Sequence, residues 1–431
     1  MEPRTTSRIL ICGIDGYLGW TLALRLSSRG HQVFGFDNFD RRRNVEEIGS
    51  WSATPILDMT KRLRAAKSRC GYEISFKQGS ILDYDFLSKF VEESHPDAIV
   101  HLAEQPSAPY SMMDRKHAIY TQHNNVLGTL NLLFAMREHA PASHLVKLGT
   151  MGEYGTPNLP IPEGFFEIEY RGRKDYLPFP RQPGSFYHLS KVHDSVNVMF
   201  ACKIWGLSST DIMQGVVYGT RTGDIDDDSL LTRFDFDEAF GTIINRYCAQ
   251  AVIGYPLTPY GTGQQKRAFI SLTDSMQCLT IAVENPPERG DYRVFNQIDE
   301  VYSVYQLADS VKKVGNSFGL EVEIQPIADP RVEAQEHFYE VDHDNLRKLG
   351  FRPTRALEVE LRNMLADLSR FKDRIDAKRS VIAPKITWRE GTTQTKTSTV
   401  PRSSTPGVAI DETVQTNEQS VQNRLASWCG L

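Results

Sequence analysis

Apolar residues fall in short runs separated by polar or helically spaced stretches. Residues 9–12 form an apolar run, glycines follow at 13, 16 and 19, and Trp20-Thr-Leu-Ala-Leu-Arg-Leu then shows helical spacing that stops at Gly30. This reads as strand, tight turn and helix. A second strand over 33–36 ends on Asp37. The rhythm continues with strands at 74–78, 97–101, 144–148 and 209–214, and with helices at 84–93 and at 125–138, where Val126, Leu130, Leu133 and Met136 share a face. No Pro or Gly follows Ser185 for a long stretch, which allows a further helix there. Such alternation predicts an α/β fold with a doubly wound parallel sheet, whose ligands bind beyond the carboxyl ends of the strands.

The second half predicts a smaller α/β lobe. Helices are expected at 240–252, 301–312 and 357–371, the last with Leu357, Leu361, Met364, Leu365, Leu368 and Phe371 facing a core, and a strand at 321–326. Residues 158–182 are polar and Pro-rich, suggesting a loop over the site, and the acidic run 220–237 reads as a solvated loop or lid. The organisation expected is a lobe over 8–219, an interleaved lobe over 220–389, and a Ser/Thr-rich disordered tail over 390–431. Val414, Val421, Leu425 and Trp428 allow a terminal helix in that tail.

Composition narrows the function. The formal charge is −5 with no long basic run, so nucleic acid is not an expected partner. The six cysteines show no CxxC and the histidines no HExxH, so neither a metal site nor a disulfide framework is expected. The first eight residues are polar and no apolar run reaches membrane-spanning length. The expectation is a cytoplasmic protein without a membrane partner.

Chemistry gathers at the predicted strand ends. Gly13, Gly16 and Gly19 let the backbone approach a pyrophosphate at the helix N-terminus. Asp37 can accept from both ribose hydroxyls, favouring NAD over NADP, although Arg41, Arg42 and Arg43 are near enough to welcome a 2′-phosphate. Tyr187 and Lys191 lie four apart, one turn from each other on a helix; a neighbouring ammonium and a bound nicotinamide cation both favour the phenolate needed to take a hydroxyl proton. The same spacing also occurs on solvated helix faces. Thr150 is a candidate hydroxyl beside that phenol, or a strand-end cap. Arg267 and Arg331 are each placed in a loop, where they suit either a bidentate diphosphate clamp or surface ion pairs.

The glycine loop, Asp37 and the Tyr187/Lys191 pair resemble the extended short-chain dehydrogenase/reductase superfamily of Rossmann proteins. More narrowly, Glu104-Gln-Pro-Ser-Ala-Pro-Tyr-Ser-Met112, His144 to Asn158, Ser185 to Ser195, Gln214-Gly-Val-Val-Tyr-Gly219 and Phe295-Asn-Gln297 resemble the UDP-sulfoquinovose synthase family, over about residues 8–389. The resemblance implies that UDP-glucose and sulfite give UDP-6-sulfoquinovose. NAD would oxidise C4, water would leave across C5 and C6, sulfite would add at C6, and the retained NADH would reduce C4 again. It implies cofactor contacts by Gly13, Gly16, Tyr17, Leu18 and Gly19, by Asp37 and Arg41, by Ser80, Ile81 and Leu102, and by Tyr187 and Lys191. It implies substrate contacts by Gln105, Thr150, Tyr187, Gln214, Arg267 and Arg331, and a homodimer.

Related 4,6-dehydratases carry an Asp-Glu pair directly after the threonine, where this chain has Met151-Gly152. The candidates for C5 and C6 proton transfer are therefore His188 and Glu153, with His188 alternatively a packed helix residue. A UDP-sugar 4-epimerase, a 4,6-dehydratase and a non-catalytic dinucleotide sensor or scaffold are the other readings of the same residues.

Overall fold

The computed structural model describes residues 6–331 and 338–388. The expected tail and its terminal helix lie outside the described residues. Twelve strands follow in chain order: β1 (Arg8–Cys12), β2 (Gln32–Asp37), β3 (Ile74–Gln78), β4 (Ala98–His101), β5 (His144–Thr150), β6 (Phe165–Tyr170), β7 (Arg173–Pro178), β8 (Ser208–Gln214), β9 (Val216–Tyr218), β10 (Lys266–Ser271), β11 (Tyr292–Gln297) and β12 (Glu300–Ser303). Seven of them form one sheet in the order β11-β8-β5-β4-β1-β2-β3, and every pairing in it is parallel. Its central strands are covered on both faces, which is why β1, β4 and β8 are almost wholly buried. The strand order reverses between β1 and β4, and the crevice at their carboxyl ends is where such a sheet binds its ligand.

A second sheet, β12-β10-β9, is built mostly from the later chain. β9 follows β8 after Gly215 alone, and β11 returns to the large sheet, so the two halves of the chain are interleaved. The helix Leu357–Ser369 buries Leu357, Leu361, Met364, Leu365 and Leu368, the stripe that its spacing predicts. No helix among the described residues is long and apolar enough to cross a membrane.

Several segments differ from their sequence reading. Helix expected from 125 begins at Arg115, running as Arg115–Gln122, a π-turn His123–Leu127 and then Gly128–His139. Residues 158–182 contain the antiparallel hairpin β6-β7, and none of residues 158–181 lines the large cavity described below. Its turn has Arg171 at φ 52° and Gly172 at φ 74°, the two positive angles that suit a two-residue hairpin. Every residue of β7 is exposed, so no apolar alternation marked it. The helix expected at 301–312 is β12 followed by Val304–Ser317. The strand expected at 321–326 amounts to isolated bridges, Leu257 to Ile324 and Tyr260 to Ile327.

The largest departure concerns the acidic run. Its first half is mixed, but residues 230–237 are all buried. Leu230, Leu231, Phe234 and Phe236 enter the core, while Arg233 and Asp235 pair with each other. Charge pairing inside the segment hid its apolar character.

Candidate active site

A cavity of ≈ 590 Å³ opens at the carboxyl edge of the large sheet and reaches into the later lobe. One end is bordered by Gly13, Gly16, Tyr17, Leu18 and Gly19, by Asp37 and Arg41, and by Ile81 and Leu102. Gly13 has φ 86°, and a Cβ there would stand 2.7 Å from the backbone carbonyl carbon of Leu102. Only glycine lets β1 turn this closely against the exit of β4. Gly16 caps the helix Tyr17–Ser28 without a side-chain hydrogen bond, leaving its first amides to a ligand.

Asp37 accepts from the amides of Asp15 at 2.8 Å and Phe39 at 2.7 Å. Burial, and then Asp15, push its carboxyl up to about 6. Arg42 and Arg43 turn to Asp15 and Asp40, and Arg41 turns to Asp235, so each of the three arginines has a carboxylate partner. Tyr17 sends its hydroxyl to Gly219 O at 2.7 Å and borders the cavity. Ser80 does not border the cavity; its Oγ accepts from the amide of Leu82 at 3.2 Å.

The middle of the cavity carries Thr150, Tyr187 and His188. Thr150 ends β5, and its Oγ1 accepts from the amide of Gly152 at 3.2 Å. Ser185 caps the helix Phe186–Trp205 by accepting from the amide of His188. This starts the helix so that Tyr187 meets Thr150 through a side-chain hydrogen bond. Burial, then Glu104 and Glu153, push the Tyr187 phenol well up, against Lys147 and the Thr150 hydrogen bond. The expectation that Lys191 would favour the phenolate needs correction: its ammonium pairs with Glu104, to which the sequence reading gave no role in the site. Against the cost of burial, Glu104 and Asp194 hold Lys191 above the ordinary lysine range. The pair is therefore internally neutralised, and the phenol stays protonated until further positive charge enters.

Burial, followed by Arg331 and Arg267, pushes His188 down to about 3, so its imidazole is neutral. Its Nδ1 shares a hydrogen bond with Ser185 Oγ at 3.1 Å. Glu153 does not border the cavity. It is fully buried beneath Thr150, accepting from the Thr150 amide at 3.3 Å and facing Arg181 and Lys147 at 3.4 Å each. Lys147 Nζ also reaches Ser195 Oγ at 2.7 Å, Lys191 O at 3.3 Å and Asp211 at 3.3 Å. Burial pushes Glu153 up, whereas at Asp211 the nearby Lys147, Ser195 and Tyr292 outweigh burial and hold it down.

At the far end Arg246, Arg331 and Arg267 surround Tyr260 and together outweigh burial, holding its phenol below the usual range. Arg246 Nη2 lies 3.3 Å from the Tyr260 hydroxyl, and Arg331 stacks 5.1 Å from the Trp388 ring centroid. Arg267 and Arg331 thus border one cavity, although Arg267 lies within β10 and not in a loop. Arg246 was missed because it sits inside a helix, Ile243–Val252, on its buried face. Gln105 and Gln214 border the cavity, but the Gln105 amide is engaged with Ser107 and Thr121 and that of Gln214 with Gln297. Gln105 shapes its loop more than it offers a ligand contact. Among the described residues no cluster of His, Cys, Asp or Glu could hold a metal ion.

This arrangement is that of an NAD-dependent enzyme, and the chain belongs to the NAD dependent epimerase/dehydratase family, whose profile matches residues 9–296. More narrowly, it is 50% identical over 384 residues to the UDP-sulfoquinovose synthase of Sulfolobus acidocaldarius, spanning 89% of this chain and 98% of that enzyme. It is 47% identical to the chloroplastic UDP-sulfoquinovose synthase of Spinacia oleracea, spanning 89% of this chain and 79% of that one. Among solved structures, UDP-glucuronic acid 4-epimerase from Bacillus cereus, in complex with UDP-glucuronic acid and NAD, shares the fold. Its TM-score is 0.64 at 21% identity, over 84% of this chain and 99% of that one. NAD is the family's cofactor, and the Gly13 approach, the uncapped helix and Asp37 fit it.

Proposed function

We propose that this protein converts UDP-glucose and sulfite to UDP-6-sulfoquinovose. The observation that carries the reading is the meeting of Tyr187 and Thr150 beside the neutral imidazole of His188, in a chain half identical to a UDP-sulfoquinovose synthase along nearly its whole length. NAD, bound along the glycine loop with Asp37 on its ribose, would supply a hydride acceptor at C4 and later the hydride donor.

The residues of the chain divide the remaining work. Tyr187 takes the C4 hydroxyl proton, and Thr150 holds the C4 oxygen in place by a hydrogen bond. Lys191, paired with Glu104, orients the phenol. The C4 ketone acidifies the C5 proton, and His188 is the neutral base that receives it and passes it to the C6 hydroxyl, which leaves as water. Hydrogen sulfite adds through sulfur to C6 and its proton goes to C5, and Tyr187 returns its proton to the C4 oxygen as C4 is reduced, so the cofactor ends the cycle oxidised. Glu153 is a positioning residue, acting on Thr150 from beneath. Arg246, Arg267 and Arg331 receive the substrate diphosphate, with the cofactor in the 8–219 lobe and the sugar nucleotide held from the 220–389 lobe.

Two finer readings accompany this one. Ile119, Leu127, Phe186, Phe200 and Ile204 form exposed apolar positions on neighbouring helices, a face suited to pairing two copies. A Phe200→Glu variant should then run as a monomer in light scattering where the parent runs as a dimer. The five described cysteines are all unpaired, in keeping with a reducing cytoplasm.

The test is mass spectrometry of purified protein incubated with UDP-glucose, with and without sulfite. A sulfite-dependent UDP-sulfoquinovose product is expected. UDP-galactose appearing without sulfite would replace this reading with an epimerase.

A further inference from the structure

Residues 231–237 are buried beside the glycine loop, and their anchoring is specific. Trp20 Nε1 donates to Leu230 O at 2.8 Å and Thr232 Oγ1 donates to Tyr17 O at 2.8 Å, which ties the segment to the first turn of Tyr17–Ser28. From the other side, the Phe234 amide donates to Ser52 Oγ at 2.9 Å. Arg233, between these anchors, is 2% exposed and borders the cavity. Its Nε and Nη2 donate to Asp235, while its Nη1 is buried with no protein partner.

Arg41 mirrors it. Its Nε and Nη2 donate to the same Asp235 carboxylate, its face lies 4.0 Å from the Phe240 ring centroid, and its buried Nη1 also has no protein partner. One carboxylate therefore holds two guanidinium groups, and each keeps one donor unmatched. Asp15 is engaged by Arg42 and Arg62 and Asp37 by the amides of Asp15 and Phe39, while Asp237 accepts from the amides of Ala239 and Phe240 through Oδ1 and makes no hydrogen bond to either arginine, its Oδ2 also being without a partner. Buried donors are satisfied in folded proteins, so two unmatched guanidinium edges at a cavity wall call for an acceptor that the protein itself does not provide.

We propose that Arg233, braced against Arg41 through Asp235, binds the diphosphate of the dinucleotide, so that residues 231–237 form a second grip on the cofactor besides the glycine loop. The assignment rests on NAD occupying the cavity. It explains how a cofactor that is reduced and reoxidised within one cycle is retained throughout.

The experiment measures NAD and ADP-ribose affinity by calorimetry on cofactor-stripped protein, for the parent, Arg233→Lys and Arg233→Met. The expected result is a loss of about tenfold or more for Arg233→Met, a smaller loss for Arg233→Lys, and unchanged UDP binding. Equal NAD affinity in a folded Arg233→Met protein would overturn the grip while leaving the NAD reading intact. A parent that bound neither NAD nor ADP-ribose would overturn the NAD reading itself. Should the methionine variant fail to fold, hydrogen exchange on the parent decides: ADP-ribose should protect the amides of 231–237, and unchanged exchange there would overturn the proposal.

Discussion

The imidazole of His188 occupies the space above Gly152, where a Cβ would stand 2.3 Å from Nε2. Any side chain at 152 must therefore displace the ring or the turn that follows Thr150. In the proposed reaction His188 takes the C5 proton, so Gly152→Ala is expected to separate the half-reactions. Reduction of bound NAD by UDP-glucose should continue, while sulfite-dependent product falls about tenfold or more. Nicotinamide absorbance and product mass, read on one sample, check this; equal loss of both signals would show that the glycine serves the fold and not the histidine.

Tyr187 shares a hydrogen bond with Thr150, and in the proposed reaction it is the group that takes the C4 hydroxyl proton. Tyr187→Phe should lower turnover about 10²- to 10⁴-fold with UDP-glucose affinity nearly unchanged. Thr150→Val should cost about 10²-fold. Near-normal turnover in Tyr187→Phe would remove the tyrosine from the chemistry.

Asp37 carries a carboxyl raised to about 6 in the cofactor-free protein. Its ionised form is the one that accepts from ribose hydroxyls, so binding favours deprotonation. NAD affinity should therefore be full above pH 6 and decline as pH falls through 6. Titration of NAD affinity against pH should show this decline, and Asp37→Asn should bind more weakly with the decline abolished.

Lys147 is fully buried among Glu153, Asp211 and Ser195. Replacing it with methionine leaves the buried Asp211 without its cation and Glu153 with Arg181 alone, and the expected loss is about 3–5 kcal/mol of stability. Chemical denaturation measures it. A loss well under 1 kcal/mol would mean that water reaches the cluster.

Arg267 and Arg331 border the end of the cavity away from the glycine loop. Alanine at either position should weaken UDP-glucose binding while leaving NAD binding intact. Calorimetry with each ligand separates the two effects, and unchanged UDP-glucose affinity would exclude the clamp.

The first lobe was legible because its signals are local. The apolar run at 9–12, the glycines after it and Asp37 lie within one strand-turn-helix-strand unit, and a parallel sheet leaves little freedom in where such a unit puts its ligand. Tyr187 and Lys191 were legible because a helix fixes their separation. The hairpin β6-β7 was not, since one of its strands is exposed throughout and carries no alternation. Nor was Arg246, whose role depends on Tyr260 and Arg331 arriving from distant segments.

Sequence by itself determined the alternating fold, the strand, glycine turn and helix at its start, and the one-turn spacing of Tyr187 and Lys191, because these follow from short-range periodicity. Only tertiary structure decided which charges are free to act. Glu104 takes Lys191, the Lys147 cluster takes Glu153, and the second half of the acidic run that sequence assigned to solvent is buried with Arg233 against the glycine loop. The physical reason is that a charge acts according to its nearest partner and its burial, and both are set by residues tens or hundreds of positions away.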